Sequence, residues 1–286
     1  MVKYTIALCN YNMCETVERS LRSILEQITD EFEVLVVDDG STDGSIEIIT
    51  ELVSEYGNLR LVVSNNDNIG AARQEAIERA NGEYILPQLD ADDEYEDVIL
   101  DFVNIYHQIE SQIDKEFFLK GTSLNMAPRE LLLDIPYRPL GYGEDKDLWR
   151  RLFGQQAILW IEHQSPCQTI GYDRGLINRI KITYEVTMVQ FRSGISFISF
   201  LSYCLRNPSL RSVVQLLMAP VAYRSARHKG IFDLPSGYET MGMLEDRIKK
   251  HSGTLEEIEK RYKISIDRTQ LSEKGRTCFF EANMMS

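Results

Sequence analysis

The chain has 286 residues, of which 43% are hydrophobic and 26% are charged, as expected of a globular protein that buries a sizeable core. Its net charge of −13 argues against a general nucleic-acid-binding protein. The five cysteines are scattered and form no CxxC pair, which argues against a disulfide framework or a zinc knuckle and fits reduced thiols in the cytoplasm.

Strand-like and helix-like segments alternate over the first third of the chain. Apolar runs predict strands at 4–8, 32–37, 59–63 and 83–86, and the run at 32–37 is nearly continuous, as in a strand buried on both faces. Apolar residues at helical spacing separate these runs, for example Val17, Leu21, Ile24 and Leu25, where Asn12 and Glu15 resemble a capping box. Short connections between such elements predict a Rossmann-like, mostly parallel α/β sheet flanked by helices.

The alternation is less regular beyond residue 94. Helices are predicted at 98–109, 144–153 and 255–262, the last one opened by a capping box of Thr254 and Glu257. Strands are predicted at 117–125 and 157–161. Residues 271–286 show no clear period, and we expect them to be loosely ordered.

Polar residues follow several of the predicted strands. They are Cys9 to Asn12 after the first strand, Asp38 and Asp39 after the second, and Asp90 to Asp93 after the fourth. In open parallel sheets, ligands bind at the carboxyl ends of the strands. The sequence therefore predicts a ligand site where these strand ends meet.

The acidic residues at two of these strand ends suggest specific chemistry. Clustered carboxylates such as Asp90, Asp92 and Asp93 repel one another unless a cation or a proton relieves them, and hard oxygen ligands select Mg²⁺ or Mn²⁺. The alternative is a solvated acidic turn. Asp39 is suited to accept hydrogen bonds from a base or a ribose, although Asp38-Asp39-Gly40 also has the composition of a helix-capping turn.

Five motifs occur in the order seen in family 2 glycosyltransferases. They are Tyr4-Thr-Ile-Ala-Leu-Cys-Asn-Tyr-Asn12, Val36-Val-Asp-Asp-Gly-Ser-Thr-Asp43, Asn68-Ile-Gly-Ala-Ala-Arg73, Asn81-Gly-Glu-Tyr84 and Leu89-Asp-Ala-Asp-Asp93. The resemblance is close over residues 3–95 and resumes at 143–151. It implies an inverting, metal-dependent enzyme of the GT-A fold.

The resemblance also implies roles for individual residues. The nucleotide-binding set comprises Cys9, Asn10, Tyr11, Asp39, Arg73 and Asp90. Asp92 and Asp93 match the metal and diphosphate ligands, which implies Mg²⁺ or Mn²⁺ as the cofactor.

Asp145 resembles the general base, with Glu144 and Trp149 beside it on the acceptor side. An inverting displacement needs a base on the face opposite the leaving diphosphate, which fits this assignment. The alternative for Glu144 and Asp145 is an acidic helix N-terminus that the helix dipole stabilises.

Residues 174–230 carry nine basic residues and one acidic residue, a net charge of +8 that leaves −21 for the rest of the chain. Their longest charge-free stretches, 193–205 and 212–223, are shorter than the roughly twenty residues a membrane-spanning helix needs. Apolar helices bordered by basic residues favour contact with a membrane surface. Two core-packing helices or a homodimer interface are the alternatives.

These observations give a predicted organisation and function. Residues 1–170 form a GT-A catalytic domain with a nucleotide-binding half, 1–95, and an acceptor half, 96–170; residues 171–230 form a basic amphipathic helical segment, and 231–286 a helix and tail. The resemblance implies transfer of one sugar from a nucleotide-sugar, with UDP favoured, because the Gln-x-x-Arg-Trp signature of processive synthases is absent.

The predicted acceptor is a glycan or a polyprenyl-phosphate-type lipid, reached from the cytoplasmic face of a membrane, with no nucleic acid involved. Two alternatives remain open. One is an inactive membrane-associated scaffold for glycosylation. The other is a sugar nucleotidyltransferase, which usually has a glycine-rich loop after its first strand, whereas residues 10–15 contain no glycine.

Overall fold

The structure is a computed structural model that describes residues 2–171, 175–236, 238 and 240–281. Strands and helices alternate through residue 90, as the sequence predicts. They are β1 (Tyr4–Asn10), α1 (Val17–Leu25), β2 (Phe32–Asp38), α2 (Ser45–Glu55), β3 (Leu59–Val63), α3 (Ile69–Arg79) and β4 (Tyr84–Asp90). β1 pairs in parallel with both β2 and β4, and β2 pairs in parallel with β3, which confirms the predicted parallel sheet.

Shorter elements follow β4. They are β5 (Asp93–Tyr95), α4 (Ile99–Glu110), β6 (Phe118–Lys120), β7 (Asn125–Pro128), α5 (Arg129–Asp134), α6 (Glu144–Gly154), β8 (Ile158–Ile161) and β9 (Cys167–Thr169). The single strand predicted at 117–125 is wrong, because the chain turns there and forms β6 and β7 as antiparallel neighbours. The turn is closed by the Gly121 N–H, which donates to the Leu124 carbonyl at 2.9 Å, and Ser123 adopts a φ of 60° within it.

Three consecutive helices follow, α7 (Leu176–Arg192), α8 (Phe197–Arg206) and α9 (Leu210–Lys229). Their facing sides form a separate apolar cluster that includes Phe191, Phe200 and Ala222. The predicted helical extension is confirmed, and Arg174 of the predicted basic segment lies outside the described residues. Among the residues that the structure describes, no helix is both long enough and apolar enough to cross a membrane.

The last part of the chain returns to the sheet. Its elements are α10 (Met243–His251), β10 (Ser252–Gly253), α11 (Leu255–Tyr262), a 3-10 turn (Arg268–Gln270) and α12 (Glu273–Phe280). The capping box of Thr254 and Glu257 is confirmed. The expected loose order is wrong for α12, because Cys278 and Phe279 are buried in the main core; residues 282–286 lie outside the described residues.

The main sheet has the strand order β10-β8-β6-β7-β4-β1-β2-β3, and β5 pairs with β9 in a separate two-stranded sheet. Apolar clusters cover both faces of the main sheet. All seven residues of β2 are buried, because the strand lies between β1 and β3 with helices on both sides. The proposed boundaries at 170 and 230 stay a prediction, although β10 and α12 pack with the sheet of the N-terminal part.

The start of α1 differs from the prediction. Val17, Leu21, Ile24 and Leu25 are buried as expected, but the helix begins at Val17, with Thr16 as its N-cap, so the capping box of Asn12 and Glu15 is wrong. Asn12 instead adopts a φ of 54°, and its side-chain oxygen accepts a hydrogen bond from the Thr42 N–H at 2.9 Å. The tertiary contact between two loops therefore replaces the local cap.

The burial of Phe279 predicts a large contribution of α12 to stability. The ring centroid of Phe279 lies 5.9 Å from that of Phe102 and 4.8 Å from that of His163. We expect Phe279→Ala to lower the free energy of unfolding by about 3–5 kcal/mol, measured by urea unfolding, because it leaves a cavity in the main core. The control Lys274→Ala, on the exposed side of the same helix, should change it by less than about 0.5 kcal/mol. Equal stability of the two variants would contradict the packing described for α12.

Candidate active site

The carboxyl ends of three neighbouring strands meet at one edge of the sheet. In the strand register, Asn10 at the end of β1 lies opposite Asp38 of β2, and Cys9 lies opposite Asp90 of β4. β6 and β8 run parallel to β4, so their carboxyl ends lie at the same edge. The polar residues that follow these strands therefore surround one cleft, as expected for a ligand site in this type of sheet.

The side chain of Asn10 lies within the protein and supports the loops of this edge. Its Nδ2 donates to Asp38 Oδ2 at 2.6 Å, and Asp38 in turn accepts hydrogen bonds from the N–H and the hydroxyl of Ser41 at 2.8 and 2.7 Å. Both Asn10 and Asp38 are buried. These contacts fix the turn after β2, so the side chain of Asn10 positions other residues at this edge of the sheet.

Asp39 and Tyr11 are the more accessible residues of this corner. The Asp39 N–H donates to the Asn10 carbonyl at 3.0 Å, and Asp39 Oδ1 accepts a hydrogen bond from the Asn66 N–H. Burial raises the pKa of Asp39, and the hydrogen bond from Asn66 partly offsets this effect. The Tyr11 ring is 59% exposed. A carboxylate beside an exposed ring is suited to bind a nucleoside, through a hydrogen bond and stacking.

Cys9 contributes a neutral thiol to the cleft. Burial raises its pKa to about 12; Asp90 adds to this shift, and Arg73 opposes it. The thiol is therefore protonated at neutral pH, and it lacks the thiolate character that a nucleophile needs. Its chemical contribution is a small apolar contact surface.

Arg73 joins the two sides of the cleft. Its Nε donates to Glu144 Oε1 at 2.9 Å, and its Nη2 lies 3.4 Å from Asp90 Oδ1. Both Arg73 and Glu144 are buried, and Arg73 Nη1 has no hydrogen-bond partner among the described residues. A buried guanidinium with an unused donor beside a carboxylate is suited to bind a phosphate oxygen.

The approach of α3 to α6 depends on Gly70 in the Asn68-Ile-Gly70 motif. The Asn68 side chain caps α3 by accepting from the Ala71 N–H, and the Gly70 N–H donates to the Leu140 carbonyl at 2.9 Å. A Cβ at Gly70 would lie 2.2 Å from the Arg138 carbonyl oxygen. Glycine is needed there because the loop before α6 packs directly on the backbone of α3.

The three aspartates of the acidic cluster have different surroundings. Asp90 ends β4 with about half of its side chain exposed, whereas Asp93 is buried and its Oδ1 accepts a hydrogen bond from the Thr169 hydroxyl at 2.7 Å. Asp92 packs closely on Gly171, where a Cβ would lie 2.8 Å from Asp92 Oδ2. Burial raises the pKa of Asp90; Arg73 opposes this shift, and the two neighbouring aspartates add to it. A bound cation would relieve the repulsion among these carboxylates.

The donor set fits a metal ion that shares its ligands with a substrate. Within the described part of the chain, no group of three or more His, Cys, Asp or Glu converges on one point. Mg²⁺ is commonly bound by one or two carboxylates together with phosphate oxygens and water. Asp92 with Asp90 or Asp93 supplies such a partial set, which a diphosphate would complete.

Asp145 is half-buried at the second position of α6, opposite the strand ends. Gly143, with a φ of 106°, turns the chain into this helix, and the buried Glu144 holds it through Arg73. On the other side, Arg138 and Arg151 bind the buried Asp147 at 3.2 and 3.0 Å. The position of Asp145 is therefore fixed by ion pairs on both sides of it along the helix.

The sequence analysis missed Lys120, which ends β6 at this edge. It is 9% exposed, and its Nζ lies 5.2 Å from the ring centroid of Trp149 and 5.1 Å from that of Trp160. Burial lowers its pKa to about 8, and the charge of Asp145 opposes this shift. The sequence placed Lys120 inside the single strand predicted at 117–125, so its position at a strand end followed only from the turn between β6 and β7.

Asn66 and Asn125 were also missed. Asn66 follows β3, at the same edge as the other strand ends, and Asn125 pairs with Lys120 across β6 and β7. Asn125 is buried; its Nδ2 donates to Gln88 Oε1 at 2.9 Å, while its Oδ1 has no partner among the described residues. Asn125 Oδ1 is therefore a buried acceptor with an unused lone pair close to Lys120 in the strand pairing.

Comparison with known proteins shows a similarity to one family over part of the chain. The family model described as Glycosyl transferase family 2 matches residues 5–113. The chain is 27% identical over 142 residues to the cholesterol galactosyltransferase of Borreliella burgdorferi, which covers 48% of this chain and 38% of that protein. It is 30% identical over 159 residues to the amylovoran biosynthesis glycosyltransferase AmsB of Erwinia amylovora, with 54% and 51% covered. The chain thus spans about half or less of the length of these relatives.

Solved structures agree on the fold. Glucosyl-3-phosphoglycerate synthase from Mycobacterium tuberculosis, solved with Mn²⁺, UDP-glucose and phosphoglyceric acid, aligns with a TM-score of 0.54 at 17% identity, covering 65% of this chain and 78% of that chain. This likeness supports the GT-A architecture of the mostly parallel sheet and its helices. The family match and the two relatives show that the chain is similar to glycosyl transferase family 2, with the family model matching residues 5–113.

Proposed function

We propose that the protein is an inverting glycosyltransferase that moves one sugar from a nucleotide-sugar to an acceptor hydroxyl or phosphate. The observation that supports this proposal is the ion pairing of Arg73 with Asp90 at the end of β4 and with Glu144, which precedes Asp145 at the start of α6. A nucleotide-binding corner, a phosphate-binding cation and a carboxylate base are the groups that such a transfer needs.

The nucleoside is proposed to bind between Tyr11 and Asp39. The exposed Tyr11 ring offers a stacking surface, and Asp39 offers a carboxylate oxygen to a base N–H or a ribose hydroxyl. Cys9 adds a neutral contact. UDP is the favoured carrier, since the Mycobacterium tuberculosis synthase of the same fold was solved with UDP-glucose.

The diphosphate is proposed to lie between Arg73 and the acidic cluster. Arg73 Nη1 would donate to a phosphate oxygen, and Asp92, with Asp90 or Asp93, would hold Mg²⁺ or Mn²⁺. Such an ion, when bound, neutralises negative charge on the leaving diphosphate. Asp93 Oδ1 would have to release the Thr169 hydroxyl to join it.

Asp145 is proposed to be the general base. The acceptor oxygen forms a bond to the anomeric carbon while the bond from that carbon to the diphosphate oxygen breaks, and Asp145 takes the proton of the acceptor hydroxyl. Glu144 is not available for this step, because its carboxylate is buried against Arg73 and the Gly143 N–H. Trp149, one turn along α6, is proposed to border the acceptor.

The acceptor is proposed to be lipid-linked, either a glycan or a polyprenyl-phosphate-type molecule. One relative is named for transfer to cholesterol, a lipid, and the other for biosynthesis of amylovoran. The five free cysteines support work at the cytoplasmic face of a membrane. A homodimer remains the alternative use of residues 174–230.

The metal and nucleotide sites are tested by thermal unfolding with UDP, GDP or dTDP, each with and without Mn²⁺. We expect UDP with Mn²⁺ to raise the Tm by about 5 °C at a hundred times the dissociation constant, because binding stabilises the folded state. Asp92→Ala should abolish the rise. Asp114→Ala, an exposed acid before β6 at the opposite edge of the sheet, should keep it. No rise with any nucleotide would favour the inactive scaffold.

The role of Asp145 is tested by the isosteric change Asp145→Asn. We expect kcat to fall by about 10²–10⁴, because the amide cannot accept the proton, while the Tm rise with UDP and Mn²⁺ is kept. Asp134→Asn, an exposed acid at the end of α5, is the matched control and should retain full turnover. Turnover of Asp145→Asn within threefold of the unchanged protein would exclude Asp145 as the base.

We propose that the positive charge of Lys120 acts in the transfer reaction near Asp145. Burying this charge lowers the free energy of unfolding. Its pKa is about 8 in the folded protein and about 10.5 in the unfolded chain, so the unfolded chain binds the proton more tightly. Stability therefore rises as the pH increases from 8 to 10.5. Lys120→Met should be more stable than the unchanged protein at pH 7, by about 1–3 kcal/mol, and slower in transfer.

That difference in stability should disappear above about pH 10.5, because Lys120 is then neutral in both states. Urea unfolding at neutral and alkaline pH measures it. Lys274→Met, at an exposed lysine, should match the unchanged protein at every pH. The proposal would be contradicted if Lys120→Met were less stable than the unchanged protein at pH 7 and if this difference in the free energy of unfolding did not change with pH.

A further inference from the structure

Helix α9 exposes an apolar stripe. Leu210, Val213, Leu217 and Val221 are 83%, 52%, 77% and 61% exposed, and their spacing of three and four residues places them on one side of the helix. Large apolar residues that are exposed singly are ordinary, but a contiguous stripe over three turns marks an interaction surface.

Helix α8 extends this surface. Ile198 and Leu205 are 78% and 70% exposed, and they lie seven residues apart, on the same side of α8. Only residues 207–209 separate α8 from α9, so Leu205 and Leu210 are close along the chain. We define the apolar face as this set of six side chains: Ile198, Leu205, Leu210, Val213, Leu217 and Val221.

The opposite sides of the same helices are already packed. Ala219, Ala222 and Ala226 of α9 are buried, as are Phe200 and Cys204 of α8, and all belong to one apolar cluster with α7. The small alanine side chains let the helices approach closely. The core-packing alternative therefore accounts for the inner sides of these helices and leaves the apolar face uncovered by the described residues.

The charged residues of α8 and α9 have one sign. Between residues 197 and 229 the chain has five basic residues and no acidic residue, and all five are exposed: Arg206, Arg211, Arg224, Arg227 and Lys229. A second copy pairing through the same face would bring these cations together, since a two-fold interface places a surface patch on itself. An apolar layer beneath negative headgroups complements both the side chains and the charges.

We propose that the apolar face and its basic border dock this protein on an anionic lipid bilayer, with α8 and α9 lying in the headgroup layer. The leucine, isoleucine and valine side chains enter the acyl boundary, and the arginines contact lipid phosphates. The inference extends the proposed lipid-linked acceptor by naming the surface that reaches the membrane, but its test requires no catalysis.

The docking helices are attached to the loop that leads into the proposed base. Arg192 of α7 donates through Nη1 to the Pro139 carbonyl at 3.0 Å and through Nε to the Gly230 carbonyl at 3.3 Å. Arg138, at the start of this loop, donates to the Asp233 carbonyl at 2.8 Å. Hydrogen bonds from α7 and to the segment after α9 therefore connect the helices that pack with α8 and α9 to the loop before Asp145.

Vesicle co-sedimentation of the full chain tests the proposal. We expect binding to vesicles of phosphatidylcholine with phosphatidylglycerol, little binding to phosphatidylcholine alone, and weaker binding as salt rises. The double variant Leu210→Gln and Leu217→Gln should partition at least about tenfold more weakly, because two exposed leucines no longer enter the bilayer. Arg211→Gln with Arg224→Gln should lose the preference for anionic lipid. Leu100→Gln, an exposed leucine on α4, is the matched control and should bind normally.

Two results would overturn the proposal. One is a vesicle-binding result against docking: either the Leu210→Gln and Leu217→Gln changes leave binding to anionic vesicles unchanged, or the unchanged protein binds neither type of vesicle. The other is a dimer in sedimentation velocity that those changes dissociate, which would make the apolar face a subunit interface. The Tm rise with UDP and Mn²⁺, measured on the same variants, separates this inference from the proposed function. Vesicle binding without a Tm rise would support the docking surface and contradict the proposed sugar transfer.

Discussion

The buried guanidinium of Arg73 connects the edge of the sheet to α6. Arg73 extends from α3 to bind Glu144 at the start of α6, and it lies beside Asp90 at the end of β4. Burying these charges is costly unless they are paired, so the ion pair fixes the distance between the sheet edge and α6. The base proposed at Asp145 follows Glu144 directly, and its position therefore depends on Arg73.

The same constraint explains why several residues of the site are small or already hydrogen-bonded. Gly70 is needed because the loop before α6 lies against the backbone of α3, and a side chain there would separate Arg73 from Glu144. Asn10 and Asp38 hold the loops of β1 and β2 in place, which leaves Asp39 for a ligand. Chemistry at the cleft thus rests on neighbours that are buried and rigid.

The uneven charge of the chain corresponds to two different surfaces. The acidic part carries the carboxylates at the sheet edge, which lie beside Arg73, while α8 and α9 carry basic residues and an apolar face. Hydrogen bonds from Arg192 and Arg138 connect these surfaces. The sheet edge with its acidic residues and the apolar face therefore lie on separate parts of the chain that are connected at one loop.

The sequence by itself determined the alternating elements, the parallel sheet, the strand ends that meet, and the resemblance to one glycosyltransferase family, because periodicity and short motifs are local properties. Only the tertiary structure decided which strand-end side chains face inward, as for Asn10 and Asp93, and placed Lys120 beside Asp145. It also folded α12 into the core, although its eight residues are too few for a clear period. Burial and ion pairing join residues far apart in sequence, such as Arg73 and Glu144, and no local pattern encodes such contacts.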